Sequence, residues 1–156
     1  MTYPEAVSYL DTLAQFGWKL DLARIELLCA LAGHPERQFP SVLVGGSAGK
    51  GSTCAILTSI LHTAGVRTGA APKPHLHTHR ERVQVDGRLI PEERFAALME
   101  RVRALAEEVT RREGSPTVFE VMTLLAFLHF AESGVERAVV EVGLGGRFDA
   151  TNVLPA

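Results

Sequence analysis

A glycine-rich segment with one lysine and one serine near its end carries the clearest chemistry in this sequence. It follows a short apolar run and consists of Gly45-Gly46-Ser47-Ala48-Gly49-Lys50-Gly51-Ser52-Thr53. Glycines let the backbone turn with positive φ, and a helix that begins after such a turn presents about half a positive charge at its N-terminus. Lys50 adds a charge for the β- and γ-phosphates of a nucleotide, and the Ser52 hydroxyl can bind Mg²⁺. We therefore predict a phosphate-binding turn, with residues 46–53 around the nucleotide.

This segment departs in two ways from the common phosphate-loop pattern G-x-x-x-x-G-K-[ST]. Val44 stands where the first glycine is expected, and Gly51 separates Lys50 from Ser52. The alternative is a glycine-rich turn between a strand and a helix, with a surface lysine and no ligand. A predicted strand before the turn and a predicted helix after it favour phosphate binding.

Glu141 is the second candidate for chemistry, because it lies near the end of the apolar run 138–142. A carboxylate in a buried strand is unfavourable unless a cation or hydrogen-bond donors meet it. Mg²⁺ held jointly by Glu141 and Ser52 would supply the cation. A salt bridge to Arg147 or Lys50 is the alternative.

The histidines and cysteines offer weaker candidates. His75, His77 and His79 alternate along one segment and could hold a metal, but neither a carboxylate nor a cysteine completes the set. Cys29 and Cys54 lie alone within helical patterns, so we expect reduced thiols in the core.

Apolar periodicity places these residues on a predicted α/β fold. It predicts helices over residues 4–16, 20–32, 91–112 and 117–132, the first ending at Gly17, and a further helix that follows the glycine segment and ends at Ala64. It also predicts strands over 41–44, 66–71 and 138–142, and a hairpin over 82–90 around Asp86-Gly87. Strand, helix and strand in about thirty residues form a βαβ unit with parallel strands. The turns after residues 44, 71 and 142 should therefore meet in one crevice at the carboxyl ends of the strands.

Composition excludes several classes of protein. The 156 residues are 46% hydrophobic and 22% charged, as in a folded globular domain, and the net charge of −2 gives no basic surface for nucleic acid. No run of 18 apolar residues and no secretory start occur, so we expect a cytoplasmic protein without membrane contact. We also expect a monomer.

Five motifs together resemble folylpolyglutamate synthase and the bifunctional dihydrofolate synthase of the Mur-ligase superfamily. They are the glycine segment Gly45 to Thr53, K-P-H-L from Lys73, E-R-V from Glu81, F-E-V-M-T from Phe119, and E-V-G-L-G-G-R-F-D-A-T-N-V from Glu141. The resemblance covers nearly the whole chain. The nucleotide turn of this family is G-T-N-G-K-G-S, which accounts for Gly51.

The resemblance implies a role for each matched residue. Gly46 to Ser52 would form the ATP phosphate loop, Lys50 and Glu141 would be the catalytic residues, and Ser52 and Glu141 would bind Mg²⁺. Phe119, Asp149 and Ala150 would contact the pterin side of the folate, and Pro74, His75 and Leu76 would lie in a mobile loop near the substrate. Ala48 replaces the usual Asn and Lys73 the usual Ser; a lysine there could change affinity for the polyglutamate tail.

The resemblance also implies an activity and a domain organisation. The family are ATP-dependent ligases that add L-glutamate to folates or to dihydropteroate through an acyl phosphate. Residues 1–156 would form the N-terminal part of the ATP-binding domain, without the glutamate-binding C-terminal domain, and would be inactive alone. The alternatives are another Mur-type amide ligase, acting on cell-wall precursors, or an ATP-binding module without ligase activity.

Overall fold

A five-stranded sheet forms the centre of the fold in the computed structural model, which describes residues 1–14 and 21–155. Its strands are β1 (Ser41–Val44), β2 (Thr68–Ala71), β3 (Gln84–Val85), β4 (Arg88–Leu89) and β5 (Arg137–Glu141). They lie in the order β1-β5-β2-β3-β4. β5 runs parallel to both β1 and β2, whereas the β3–β4 hairpin adds to β2 in the antiparallel sense. The predicted α/β fold with a parallel sheet and an inserted hairpin is confirmed.

Within the described residues, five α-helices flank this sheet. They are α1 (Tyr3–Ala14), α2 (Ala23–Leu31), α3 (Lys50–Thr63), α4 (Glu92–Glu113) and α5 (Val118–Glu132). Helix α3 packs on β1, β2 and β5, while α1, α2, α4 and α5 pack on one another. The predicted end of the first helix at residues 16 and 17 and the predicted start of the second at residue 20 lie outside the described residues.

Successive side chains of strand β5 point to opposite faces of the sheet, one toward the helical core and the other toward helix α3. Ala138 and Val140 belong to the large core that the four packed helices build. Glu141 is two residues from Val139 and therefore shares the opposite face, on which α3 lies. An acidic side chain is thus aimed from a buried strand toward the start of α3.

Several boundaries differ from the sequence prediction. β5 ends at Glu141 instead of residue 142, and β2 begins at Thr68 instead of residue 66, because the N–H of Val66 still closes the end of α3 by donating to Leu61 O at 3.1 Å. The predicted hairpin is shorter, since its first residue belongs to a 3₁₀ helix, His79–Arg82. The predicted βαβ unit is present, with β5 inserted between its two strands.

The start of α5 is fixed by a buried ion pair. Glu120 caps the helix together with Thr117, whose N–H donates to Glu120 Oε2 at 2.7 Å. The same carboxylate meets the guanidinium of Arg24 on α2, with Nη2 at 3.2 Å from Oε1. This pairing joins α2 to α5 and fixes the position of Phe119 at the crevice.

Both cysteines are buried and free, as predicted. Cys29 lies in the core between helices, where burial raises the pKa of its thiol. Cys54 lies on α3, and burial, followed by the charge of Glu141, raises its pKa to about 11. Over residues 1–14 and 21–155, no helix is long and apolar enough to cross a membrane.

Candidate functional site

The glycine segment forms an exposed turn between β1 and α3. Gly49 is the residue before the first turn of α3 and has φ of 76°, and Gly46 has φ of 152°. Both values favour glycine over residues with a side chain. Over the described part of the chain, no main-chain N–H from residue 46 to residue 52 donates a hydrogen bond to another protein group. The turn therefore offers free donors at the positive end of a 14-residue helix.

The polar side chains of this turn are available to a ligand. Lys50 Nζ folds back and donates to Gly46 O at 3.0 Å, close to the free N–H groups. Ser47, Ser52 and Thr53 are exposed. The structure thus brings together the residues that the sequence assigned to phosphate binding.

Glu141 lies beside the start of α3 and is buried. A Cβ built on Gly51 would lie 3.8 Å from Glu141 Oε2, so this carboxylate borders the first turn of the helix. Oε2 accepts the main-chain N–H of Lys73 at 2.8 Å. Among the residues described, neither Lys50 nor Arg147 forms an ion pair with Glu141: Lys50 bonds Gly46, and the Arg147 guanidinium lies over Phe148. The salt-bridge alternative is therefore not what the structure shows.

A buried carboxylate that forms no ion pair with Lys50 or Arg147 can take a Mg²⁺ ion. Magnesium is usually held by one or two carboxylates together with phosphate oxygens and water, and does not need a cage of protein ligands. Glu141 supplies one carboxylate, and Ser52 lies one residue beyond the Gly51 contact. No group of three or more His, Cys, Asp or Glu side chains within the described residues could hold a metal.

Lys73 is a site residue whose position the sequence did not predict. Its side chain reaches back to β5, where Nζ donates to the main-chain O of Glu141 at 2.5 Å. The ammonium lies 4.4 Å from the centroid of the Phe119 ring. Burial lowers the pKa of Lys73 to about 8, while the charges of Asp149 and Glu141 oppose that change.

A second glycine turn, residues 143–146, follows β5 and is held by Asp149. The carboxylate is buried, and its Oδ2 accepts the N–H groups of Gly143 at 3.0 Å and Leu144 at 2.8 Å. Oδ1 accepts the N–H and the hydroxyl of Thr151, at 3.0 and 2.5 Å. Four donors from the chain itself therefore occupy the side chain that the resemblance assigned to the substrate.

Phe119 closes the crevice beside this turn. A Cβ on Gly143 would meet the ring at 2.8 Å, so only glycine allows the approach. Ala150 is buried and begins a 3₁₀ helix, Ala150–Val153, which Asp149 caps. Asp149 and Ala150 follow the turn after β5, at the same edge of the sheet as Glu141.

The segment after β2 carries Pro74, His75 and Leu76 and is held by Glu81. This carboxylate accepts the N–H groups of Leu76, His77 and Thr78 at 2.7–2.8 Å, which lowers the pKa of Glu81 to about 2. The peptide bond between Lys73 and Pro74 is cis. The Leu76 side chain remains 81% exposed.

The three alternating histidines do not form a metal site. The rings of His75 and His79 lie 4.4 Å apart, and His75 Nδ1 accepts from Arg82 Nε at 2.8 Å. His77 points to solvent beside Glu81, away from the other two rings. Within the described residues, the three rings therefore do not come together as a set of metal ligands.

A parallel sheet whose strands end at a free glycine turn, next to a buried carboxylate, places the chain in the class of phosphate-loop α/β domains. The comparisons with known proteins give a closer likeness. The chain is 42% identical over 154 residues to the dihydrofolate synthase/folylpolyglutamate synthase of Bacillus subtilis, covering 97% of this chain and 36% of that protein.

Solved structures agree with this likeness. The folylpolyglutamate synthase of Thermotoga maritima superposes with a TM-score of 0.90 at 40% identity, covering 98% of this chain and 36% of that one. The FolC protein of E. coli, solved with DHPP and ADP, gives 0.87 at 38% identity, covering 100% and 36%. No family model matches the chain. The predicted resemblance to folylpolyglutamate and dihydrofolate synthases is confirmed, and the chain spans about a third of the relatives it matches.

Proposed function

We propose that this chain is the nucleotide-binding part of an ATP-dependent ligase that adds L-glutamate to a folate or to dihydropteroate. The free N–H groups of the turn before α3, with Lys50 beside them, carry this proposal. The similarity to synthases of that name, one of them solved with ADP, supports it. We further propose that residues 1–156 form the N-terminal part of the ATP-binding domain and that the glutamate-binding domain lies elsewhere in the whole protein.

In the proposed reaction, the glycine turn and the residues beside it bind the phosphates. Main-chain N–H groups of residues 46–52 and the Lys50 ammonium bind the β- and γ-phosphates and neutralise charge as it develops. Ser52 and Glu141 would hold Mg²⁺, which, when bound, neutralises phosphate charge. Lys50 turns from Gly46 O toward the phosphates, and the bond it gives up is exposed and weak.

The acceptor side needs a carboxylate brought against the γ-phosphate. The carboxylate oxygen attacks phosphorus, ADP leaves, and the acyl phosphate then reacts with the amine of glutamate, releasing phosphate. We propose that Phe119, Ala150 and the segment Pro74 to Leu76 border the acceptor. Asp149 acts on it through the turn that it holds, because its own oxygens are already occupied.

Nucleotide binding gives the first test. Calorimetry with Mg-ATP on the 156-residue chain should show binding that Lys50→Ala weakens by about ten- to hundredfold, as expected for the loss of a charge-assisted hydrogen bond. Arg88→Ala, which removes an exposed cation from β4, serves as the matched control and should bind as the wild type does. Equal affinity of Lys50→Ala and wild type would contradict the phosphate assignment.

Glutamate-dependent release of phosphate tests the reaction itself. With dihydropteroate or tetrahydrofolate as acceptor, we expect turnover by the whole protein and none by residues 1–156, because proximity of all three substrates supplies about 7–11 kcal/mol of such a barrier. Turnover with a cell-wall precursor instead would favour another Mur-type ligase. Binding of ATP without turnover by the whole protein would favour a nucleotide-binding module. The cytoplasmic location and the monomeric state stay predictions.

A further inference from the structure

Lys73 lies between the two sides of the proposed reaction. On the nucleotide side, its main-chain N–H holds Glu141 Oε2, the oxygen that borders Gly51 in the first turn of α3. On the acceptor side, its ammonium lies against the face of Phe119. Lys73 therefore contacts both a residue proposed to bind Mg²⁺ and a residue proposed to border the acceptor.

The ammonium of Lys73 has donors to spare. Of its three protons, one is used by the main-chain O of Glu141. In the described part of the chain, Lys73 Nζ has no carboxylate partner: Glu141 is met through its main chain, and both oxygens of Asp149 are taken by N–H groups and a hydroxyl. The nearby charges of Asp149 and Glu141 stabilise the ammonium, and its remaining protons can be donated to an anion that binds beside it.

The space around Lys73 limits where that anion can lie. Behind it, toward α5, Lys73, Arg82 and Thr123 line a cavity of about 10 Å³, which holds one water at most. That side of Lys73 therefore has no room for a carboxylate.

From this geometry we infer that Lys73 binds the reacting carboxylate of the acceptor and positions it for attack on the γ-phosphate. This inference rests on the proposed function. It differs from a role in binding the polyglutamate tail, because the ammonium lies at Glu141 and Phe119, deep in the crevice. Lys50 then neutralises the phosphates, and Lys73 neutralises the group that must approach them, which reduces the repulsion between two anions.

A double-mutant-type cycle of binding affinities, in which one change is made in the protein and the other in the ligand, tests the inference. The ligands are dihydropteroate and its primary carboxamide, which differ only at the reacting group. The proteins are wild type, Lys73→Met, which keeps the length of the side chain without its charge, and the control Arg88→Met, each saturated with Mg-ADP. Calorimetry measures the four affinities of each cycle.

We expect wild type and Arg88→Met to bind the acid about ten- to hundredfold more tightly than the amide, and Lys73→Met to bind both equally. The affinity of Lys73→Met for the amide and for Mg-ADP should match wild type. Equal weakening of acid and amide by Lys73→Met would assign the lysine a purely structural role and overturn the inference. A preference for the acid that survives in Lys73→Met would overturn it as well.

The same data separate this inference from the proposed function. If wild type binds Mg-ADP and both ligands but does not distinguish acid from amide, the Lys73 inference is wrong and the ligase assignment stands. If wild type binds neither Mg-ADP nor dihydropteroate, the proposed function fails, and the inference fails with it.

Discussion

Two glycine turns follow neighbouring strands of the sheet, and they differ in whether their N–H groups are hydrogen-bonded within the protein. The turn of residues 45–49 after β1 keeps its N–H groups free at the start of α3. The turn of residues 143–146 after β5 gives two of them to the buried carboxylate of Asp149. Glycine content alone therefore does not distinguish a ligand site from a structural turn. The two turns differ in whether a carboxylate of the protein already accepts their N–H groups.

The largest effect on this comparison is expected from removal of the Asp149 carboxylate. Asp149→Ala leaves two N–H groups of the second turn, and the N–H and hydroxyl of Thr151, without an acceptor. An unsatisfied buried donor costs about 1–3 kcal/mol, so we expect the free energy of unfolding to fall by about 3 kcal/mol. Urea unfolding measures it.

Ser47→Ala in the first turn is the matched change, because Ser47 is exposed and makes no hydrogen bond within the described residues. It should alter the stability by less than about 0.5 kcal/mol. Similar losses in the two variants would contradict the difference between the turns.

The next effect in size concerns the contact of the second turn with Phe119. Gly143→Ala would place a Cβ 2.8 Å from the ring and 3.0 Å from Asp149 Oδ2. Such overpacking costs about 1–3 kcal/mol. Gly146→Ala meets nothing within 4 Å and should be nearly neutral, which thermal unfolding of the two variants will show. A neutral Gly143→Ala would mean that the ring is free to move away.

A smaller effect on stability and a clear effect on metal binding are expected at Glu141. Glu141→Gln keeps an oxygen for the N–H of Lys73 and removes the charge, so the fold should persist. Changes around a metal ligand commonly weaken binding by 10–100-fold, and we expect the Mg²⁺ concentration needed for nucleotide binding to rise by at least about tenfold. Unfolding of the variant with unchanged Mg²⁺ dependence would show that the carboxylate is structural.

The smallest effect is expected in the segment after β2, where Glu81 plays the part that Asp149 plays in the second turn. Its pKa is lowered to about 2 in the folded chain, so the stability that it contributes is present above pH 4.5 and is lost as pH falls toward 2. Glu81→Gln at neutral pH should speed hydrogen exchange at Leu76, His77 and Thr78. Unchanged exchange there would show that other contacts hold the segment.

The turn around Lys50 was predictable from sequence because its residues are adjacent along the chain. The sheet and most helix positions were predictable for the same reason, since periodicity is a local property. The position of Lys73 was not, because it depends on β5 lying next to β2, a pairing between residues about 68 apart. The hydrogen bonds that Asp149 accepts from its own turn could not be predicted either, because an aspartate that binds a ligand and one that accepts main-chain N–H groups are the same residue in the sequence.

The two buried thiols allow the opening of the helical core and the opening of the crevice to be measured separately. Cys29 lies among the helices and Cys54 beside Glu141, and raised pKa values make both slow to react while covered. A thiol reagent can therefore modify each only when its own surroundings open, so the two modification rates report two local opening equilibria. The order in which Cys29 and Cys54 become labelled would show whether the crevice opens before the helical core, without any dye, tag or introduced probe.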